Sequence, residues 1–164
     1  MLPYLFFKGD LMSTFFVKKQ DVKQKNWQVI DARGEIVGRL AARISRILMG
    51  KTRPDFTPHT ETGDGVIVVN SSQVIVTGSK AKTKIYKNFS GFPSGQRERT
   101  FERVMSEDPT YVLRHAVKGM LPKSRLGSRM ISRLLVYAGA EHPHQAQTQR
   151  STKPKTQKTK ETKK

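Results

Sequence analysis

Val66-Ile67-Val68-Val69, closed by Asn70, is an unbroken apolar run. A strand with one wet face alternates apolar and polar residues, whereas a continuous run of β-branched residues reads as a strand covered on both faces, the pattern of a parallel sheet in an α/β domain. A second run, Val74-Ile75-Val76-Thr77, follows the turn at Ser71-Ser72 and stops at Gly78. The two runs are expected to form the centre of the sheet. Upstream, Asn26 to Asp31 mixes Trp27 with Val29 and Ile30 and breaks at Asp31-Ala32-Arg33-Gly34, which reads as a first strand and a turn. Between them, Ile36, Leu40, Ile44, Ile47 and Leu48 recur at spacings of three and four, so Glu35 to Met49 is expected to be a helix with one buried face, closed by Gly50.

Arg39, Arg43 and Arg46 recur on that helix with the same period and form a stripe beside the apolar face. Taken alone, such a stripe is a solvated helix flank whose stems pack at the core edge. After Glu35 no nearby acid is available to pair it, and phosphate contact becomes the better reading. Gly50-Lys51-Thr52 resembles the end of a phosphate-binding P-loop, but Ser45 stands where the first glycine is required. The tripeptide also closes a helix where a P-loop must open one, which excludes nucleotide binding there.

The charge of the whole chain points the same way. Among 164 residues, 31 Lys and Arg face 13 Asp and Glu, a formal net charge of +18. A compact chain bears such self-repulsion poorly unless a polyanion neutralises it, so nucleic acid is the expected partner. The length favours one domain with an appendage. No stretch has the apolar length needed to span a bilayer. With no cysteine, disulfides, zinc knuckles and thiol nucleophiles are excluded. Residues 1–14 are expected to be an extension outside the core, with Met12 an alternative start. From Thr148 the composition falls to Thr, Gln, Lys, Pro and Ser, with seven basic residues and one acid; this stretch, 148–164, is expected to be disordered. Residues 15–147 are left as the folding unit.

Lys51 to Gly65 reads as a polar loop holding His59. Lys80, Lys82 and Lys84 alternate ahead of Ile85-Tyr86, which in a strand places all three on one open face. Asn88 to Arg97 is a glycine-rich loop whose Phe89 and Phe92 allow two readings: rings stacked on unpaired nucleotides, or anchors into the core, the commoner role of a loop Phe. Asp108-Pro109 is a strong helix start, an N-cap acceptor followed by Pro at the first helical position. That helix should end between Gly119 and Pro122. Between Asp108 and Glu141 there is no acid, while Arg114, Lys118, Lys123, Arg125, Arg129 and Arg133 are all cationic. These six read as a one-sign surface on a helix end and the loop beyond it. Leu126 to Arg133 is a short helix and Leu134 to Tyr137 the last strand. His142 and His144 flank Pro143 without helical metal-ligand spacing and have no second pair, so contact with RNA or backbone is the better reading than a metal site. No catalytic constellation is visible.

Trp27 with Asp31-Ala32, Gly38-Arg39-Leu40-Ala41, Thr57-Pro58-His59, Gly63-Asp64, Ala116 to Pro122, Val136 to Gly139 and Glu141-His142-Pro143-His144 together resemble the universal "L thirteen" family of large-subunit ribosomal proteins, bacterial or organellar type, over about Phe15 to Gln147. The resemblance implies a three-layer α/β/α domain around a small, mainly parallel sheet. It further implies binding to large-subunit ribosomal RNA beside neighbouring ribosomal proteins, a part in early subunit assembly, and a place in the ribosome of the cytoplasm or of an organelle. Neither catalysis, a cofactor, a small-molecule substrate nor a membrane is implied. Ser128 and Leu135 stand where the family commonly has Arg and Lys. The candidate RNA-binding residues are Arg39, Arg43, Lys51, His59, Lys80, Lys84, Lys118, Lys123, Arg125, Arg129, His142 and His144.

Overall fold

The computed structural model describes residues 26–152; the expected N-terminal extension lies outside them. Three parallel strands form the central sheet in the order β1 (Trp27–Asp31), β2 (Gly65–Val69), β5 (Leu134–Val136). β2 lies in the middle, with Val66 opposite Gln28 and Leu134, and Val68 opposite Ile30 and Val136. All five of its residues are buried, as the unbroken apolar run requires.

Period two divides the sheet into two faces. Val66, Val68, Leu134, Ile30 and Val136 belong to the main core, which they share with Leu40, Ile44 and Leu48 of α1 (Val37–Met49) and with Val112, Leu113 and Val117 of α4 (Pro109–Met120). Burying each of these large apolar side chains contributes about 1.5–3 kcal/mol before the entropy of ordering it is subtracted. On the opposite face the His144 ring stacks on Trp27, 6.5 Å between centroids, and α6 (Gln145–Thr152) follows and packs on β1. Helical layers thus lie on both sides of a parallel sheet. α6 takes in Thr148 to Thr152, the first residues of the stretch expected to be disordered; residues 153–164 lie outside the description.

Three elements differ from expectation. Val74 to Thr77 is extended but is not a central strand. Asn70 adopts a left-handed conformation and starts a 3-10 turn over Ser71–Gln73, which the end of β5 holds through Ser71 N–H to Tyr137 O and Asn70 N–H to Gly139 O. The chain is thereby turned off the sheet, and Ile75 makes only an isolated bridge to Ile36, where its carbonyl accepts from Val37 at the start of α1. Lys80 to Thr83 is a helical turn, α2, rather than a strand: Gly78 has positive φ, and Ser79 O accepts from the backbone of Lys82 and Thr83 and from the Thr83 hydroxyl. The alternation of lysines had no apolar partner to make it a strand signal. Finally, the stretch read as a loop over Asn88 to Arg97 is largely a hairpin, β3 (Ile85–Phe89) against β4 (Gln96–Thr100). β4 is polar throughout and carries no alternation to read.

α3 (Phe101–Glu107) starts at Thr100 with no side-chain cap, and α4 starts as expected, with the Asp108 carboxylate accepting from Thr110 N at 3.0 Å. The Thr110 hydroxyl donates to the same carboxylate at 2.6 Å, and this bond with the backbone one holds the Asp108 carboxyl below the usual aspartate range. α4 ends at Met120, and α5 (Arg125–Ile131) follows after Leu121 to Ser124.

Candidate nucleic-acid interface

Two clusters of cations are built by neighbouring helices, since α1 packs on α4 and touches α5. The first lies at the α4–α5 junction. Ser124 caps α5 by accepting from Gly127 N at 3.3 Å, and a Cβ on Gly127 would stand 1.8 Å from the Pro122 carbonyl oxygen. Only glycine lets the helix approach the preceding turn so closely, and this contact fixes the turn. Lys118, Lys123 and Arg125 consequently line one groove with Ser128, and no acid lines it. Arg129 is exposed on α5 but does not line that groove.

The second cluster lies along α1, where Arg39, Arg43 and Arg46 flank a shallow groove with Gln28 and Thr52. Arg43 has an acid after all: Glu35 pairs with it at 2.8 Å. The pair is exposed and contributes little, so a phosphate can replace the carboxylate at small cost. Arg46 completes the row; its signal in the sequence was the three-residue recurrence with Arg43. Lys51 and His59 are exposed beyond the helix, and Gly50 is left-handed at φ 81°, a helix end rather than a phosphate cradle. Lys80 and Lys84 bracket α2 at a spacing of four, which brings them to one side of the turn, with Lys84 Nζ 5.3 Å from the Tyr86 ring centre.

The structure removes one of the cations expected at the surface. Arg133 is buried, 7 % exposed, pairs with Glu61 at 3.1 Å and donates to the carbonyls of Leu48, at 3.2 Å, and Gly63. Burial pushes its guanidinium below the ordinary arginine range, against the opposing pull of Glu61. Its charge therefore satisfies the C-terminal carbonyls of α1 and the 50–65 loop. Arg53, which the sequence did not single out, has the same role in that loop, binding Asp55, Asp64 and the Thr62 carbonyl.

The histidines divide. His144 Nε2 lies 2.7 Å from the Tyr137 hydroxyl and its backbone N–H donates to His142 Nδ1 at 3.2 Å, so both rings bind the protein itself. Among the described residues, no group of three or more His, Asp or Glu is placed to hold a metal, and no helix is long and apolar enough to cross a membrane.

The sequence profile described as "Ribosomal protein L13" matches residues 25–143. The chain belongs to this family. Proteins called "Large ribosomal subunit protein uL13" are similar to it over most of their length: that of Thermoanaerobacter sp. (strain X514) is 52 % identical over 136 residues, 83 % of this chain and 94 % of the relative. The protein of Laribacter hongkongensis is 54 % identical over 136 residues, 83 % of this chain and 95 % of the relative, and that of Rubrobacter xylanophilus is 48 % identical over 137 residues, 84 % and 95 %. The family match spans every described element from β1 to β5 and takes in both cation clusters. α6 follows it.

Proposed function

We propose that this chain is a structural constituent of the large ribosomal subunit that binds large-subunit ribosomal RNA, lies beside other large-subunit proteins and helps early assembly of the subunit. The observation that carries the reading is the groove at the α4–α5 junction: Lys118, Lys123 and Arg125 line it without an acid, and none of them has an ion-pair partner among the described residues. Unpaired cations on a rigid scaffold neutralise phosphates, release counterions and lose little entropy on doing so. Arg39, Arg43 and Arg46 on α1, with Lys51, His59, Lys80, Lys84 and Arg129 on the remaining exposed surface, extend the contact to further RNA segments. Folded RNA is recognised mainly by shape, phosphate and sugar, so specificity follows from the arrangement of these groups. The role is structural rather than catalytic.

The alternative is a nonspecific nucleic-acid binder held by its basic end. Removal of residues 148–164 separates the two, because that stretch carries six of the eighteen net charges. The truncated chain is expected to bind large-subunit RNA with most of its affinity, measured by filter binding at several salt concentrations, and with a shallower salt dependence. Loss of nearly all binding on truncation would favour the nonspecific reading.

A further inference from the structure

The hairpin tip between β3 and β4 presents two large apolar side chains that the core does not use. Phe89 is 65 % exposed and Phe92 74 % exposed. Period two explains the first: Tyr86 points into the core, against the Tyr111 and His115 rings, so Phe89, three residues on, faces outward. The anchor reading of these two rings is thus overturned. The tip is also closed by its own backbone hydrogen bonds. Ser90 N–H donates to Gly95 O at 3.1 Å and Gly95 N–H to Phe92 O at 2.9 Å, while a Cβ on Gly95 would meet Ser90 Oγ at 2.1 Å. Gly91 and Ser94 take positive φ to close it.

Charge around the tip fits a polyanion. Lower on the hairpin the cations are matched, Lys87 by Glu98 at 2.9 Å and Arg99 by Glu107 at 3.6 Å. From Asn88 to Arg97 there is no acid, and among the described residues Arg97 has no ion-pair partner. Two rings on a narrow tip, surrounded by Ser90, Ser94, Asn88 and Gln96, offer far less than the roughly 800 Å² that each partner contributes to a stable protein interface. Two aromatic faces with amide and hydroxyl groups beside them do match unstacked bases.

We propose that Phe89 and Phe92 stack on unpaired nucleotides of the bound RNA, making the hairpin a base-contacting arm distinct from the phosphate-contacting helices. The inference rests on the RNA-binding function proposed above. It predicts that the full chain binds a single-stranded RNA 12-mer more tightly than an abasic 12-mer with the same number of phosphates. A Phe89→Ala/Phe92→Ala variant is expected to lose that preference, about tenfold or more, while its affinity for the abasic strand and the slope of affinity against salt stay unchanged. Phe89→Tyr/Phe92→Tyr should keep the preference, since the phenol ring stacks as well. Equal affinity of the wild-type chain for the two strands, or an alanine variant weakened equally on both, would overturn the stacking role and leave the phosphate contacts standing. An alanine variant that binds both RNAs like wild type but enters large subunits poorly would assign the rings to a neighbouring protein. Wild-type protein that binds neither strand would likewise overturn the stacking role, and failure to bind large-subunit RNA in the same assay would overturn the RNA-binding reading itself.

Discussion

Arg133→Met should lower folding stability by about 3–5 kcal/mol, the range for removing one partner from a buried, hydrogen-bonded ion pair. Methionine fills much of the same space, so the loss is electrostatic rather than a cavity. The Leu48 and Gly63 carbonyls lose their donor, and Glu61 loses its cation in a half-buried position. These groups lie where the C-terminus of α1 meets the 50–65 loop, and Asp64 N–H to Ile47 O and Lys51 N–H to Arg46 O close the same junction. Denaturation by urea monitored by circular dichroism reads the effect. Arg133→Lys should recover only part of it, because an ammonium cannot match the fork that reaches two carbonyls and a carboxylate. A loss below about 1 kcal/mol for Arg133→Met would mean that the pair merely offsets its own desolvation.

Lys118→Glu with Arg125→Glu makes the opposite prediction, a large functional loss on an intact fold. Both residues are exposed and unpaired among the described residues, so stability should change by less than about 0.5 kcal/mol. A charge-assisted hydrogen bond contributes about 1.5–3 kcal/mol, so losing two is expected to weaken binding to large-subunit RNA about a hundredfold or more at 0.1 M salt. The slope of log affinity against log salt should fall by about two. Incorporation of the double variant into subunits should drop in step. Binding and incorporation equal to wild type would remove the α4–α5 groove from the interface.

What was legible in the sequence follows its periodicity. The buried run Val66 to Val69 gave β2 at the sheet centre, and the three-and-four spacing from Ile36 to Leu48 gave α1, because both patterns report burial directly. Asp108-Pro109 gave the start of α4, since a cap is a local chemical signal. Where chemistry gives no period, the reading failed: β4 is polar on both faces, and the lysines of α2 alternate without an apolar set to orient them. Val74 to Thr77 failed for a different reason. Its β-branched residues do report an extended chain, but whether that chain joins the sheet is decided by the turn at Asn70 and by Tyr137 and Gly139, which are distant in sequence. The cations were legible as types and not as roles. Arg133 and Arg125 look alike in a run free of acids, yet one finds Glu61 more than seventy residues away and the other lines an open groove. For Phe89 the sequence left exposure and anchoring both open, and the choice waited on β3, which sets the parity with Tyr86.

Sedimentation of a cell extract through a sucrose gradient at high salt, with this chain detected along the gradient, tests the central claim most directly. Salt screens nonspecific contacts between exposed charges, whereas a fixed arrangement of cations locked into folded RNA survives it. The chain is predicted to migrate with the large ribosomal subunit. Release to the top of the gradient would contradict the claim and return the chain to the class of loosely held nucleic-acid binders.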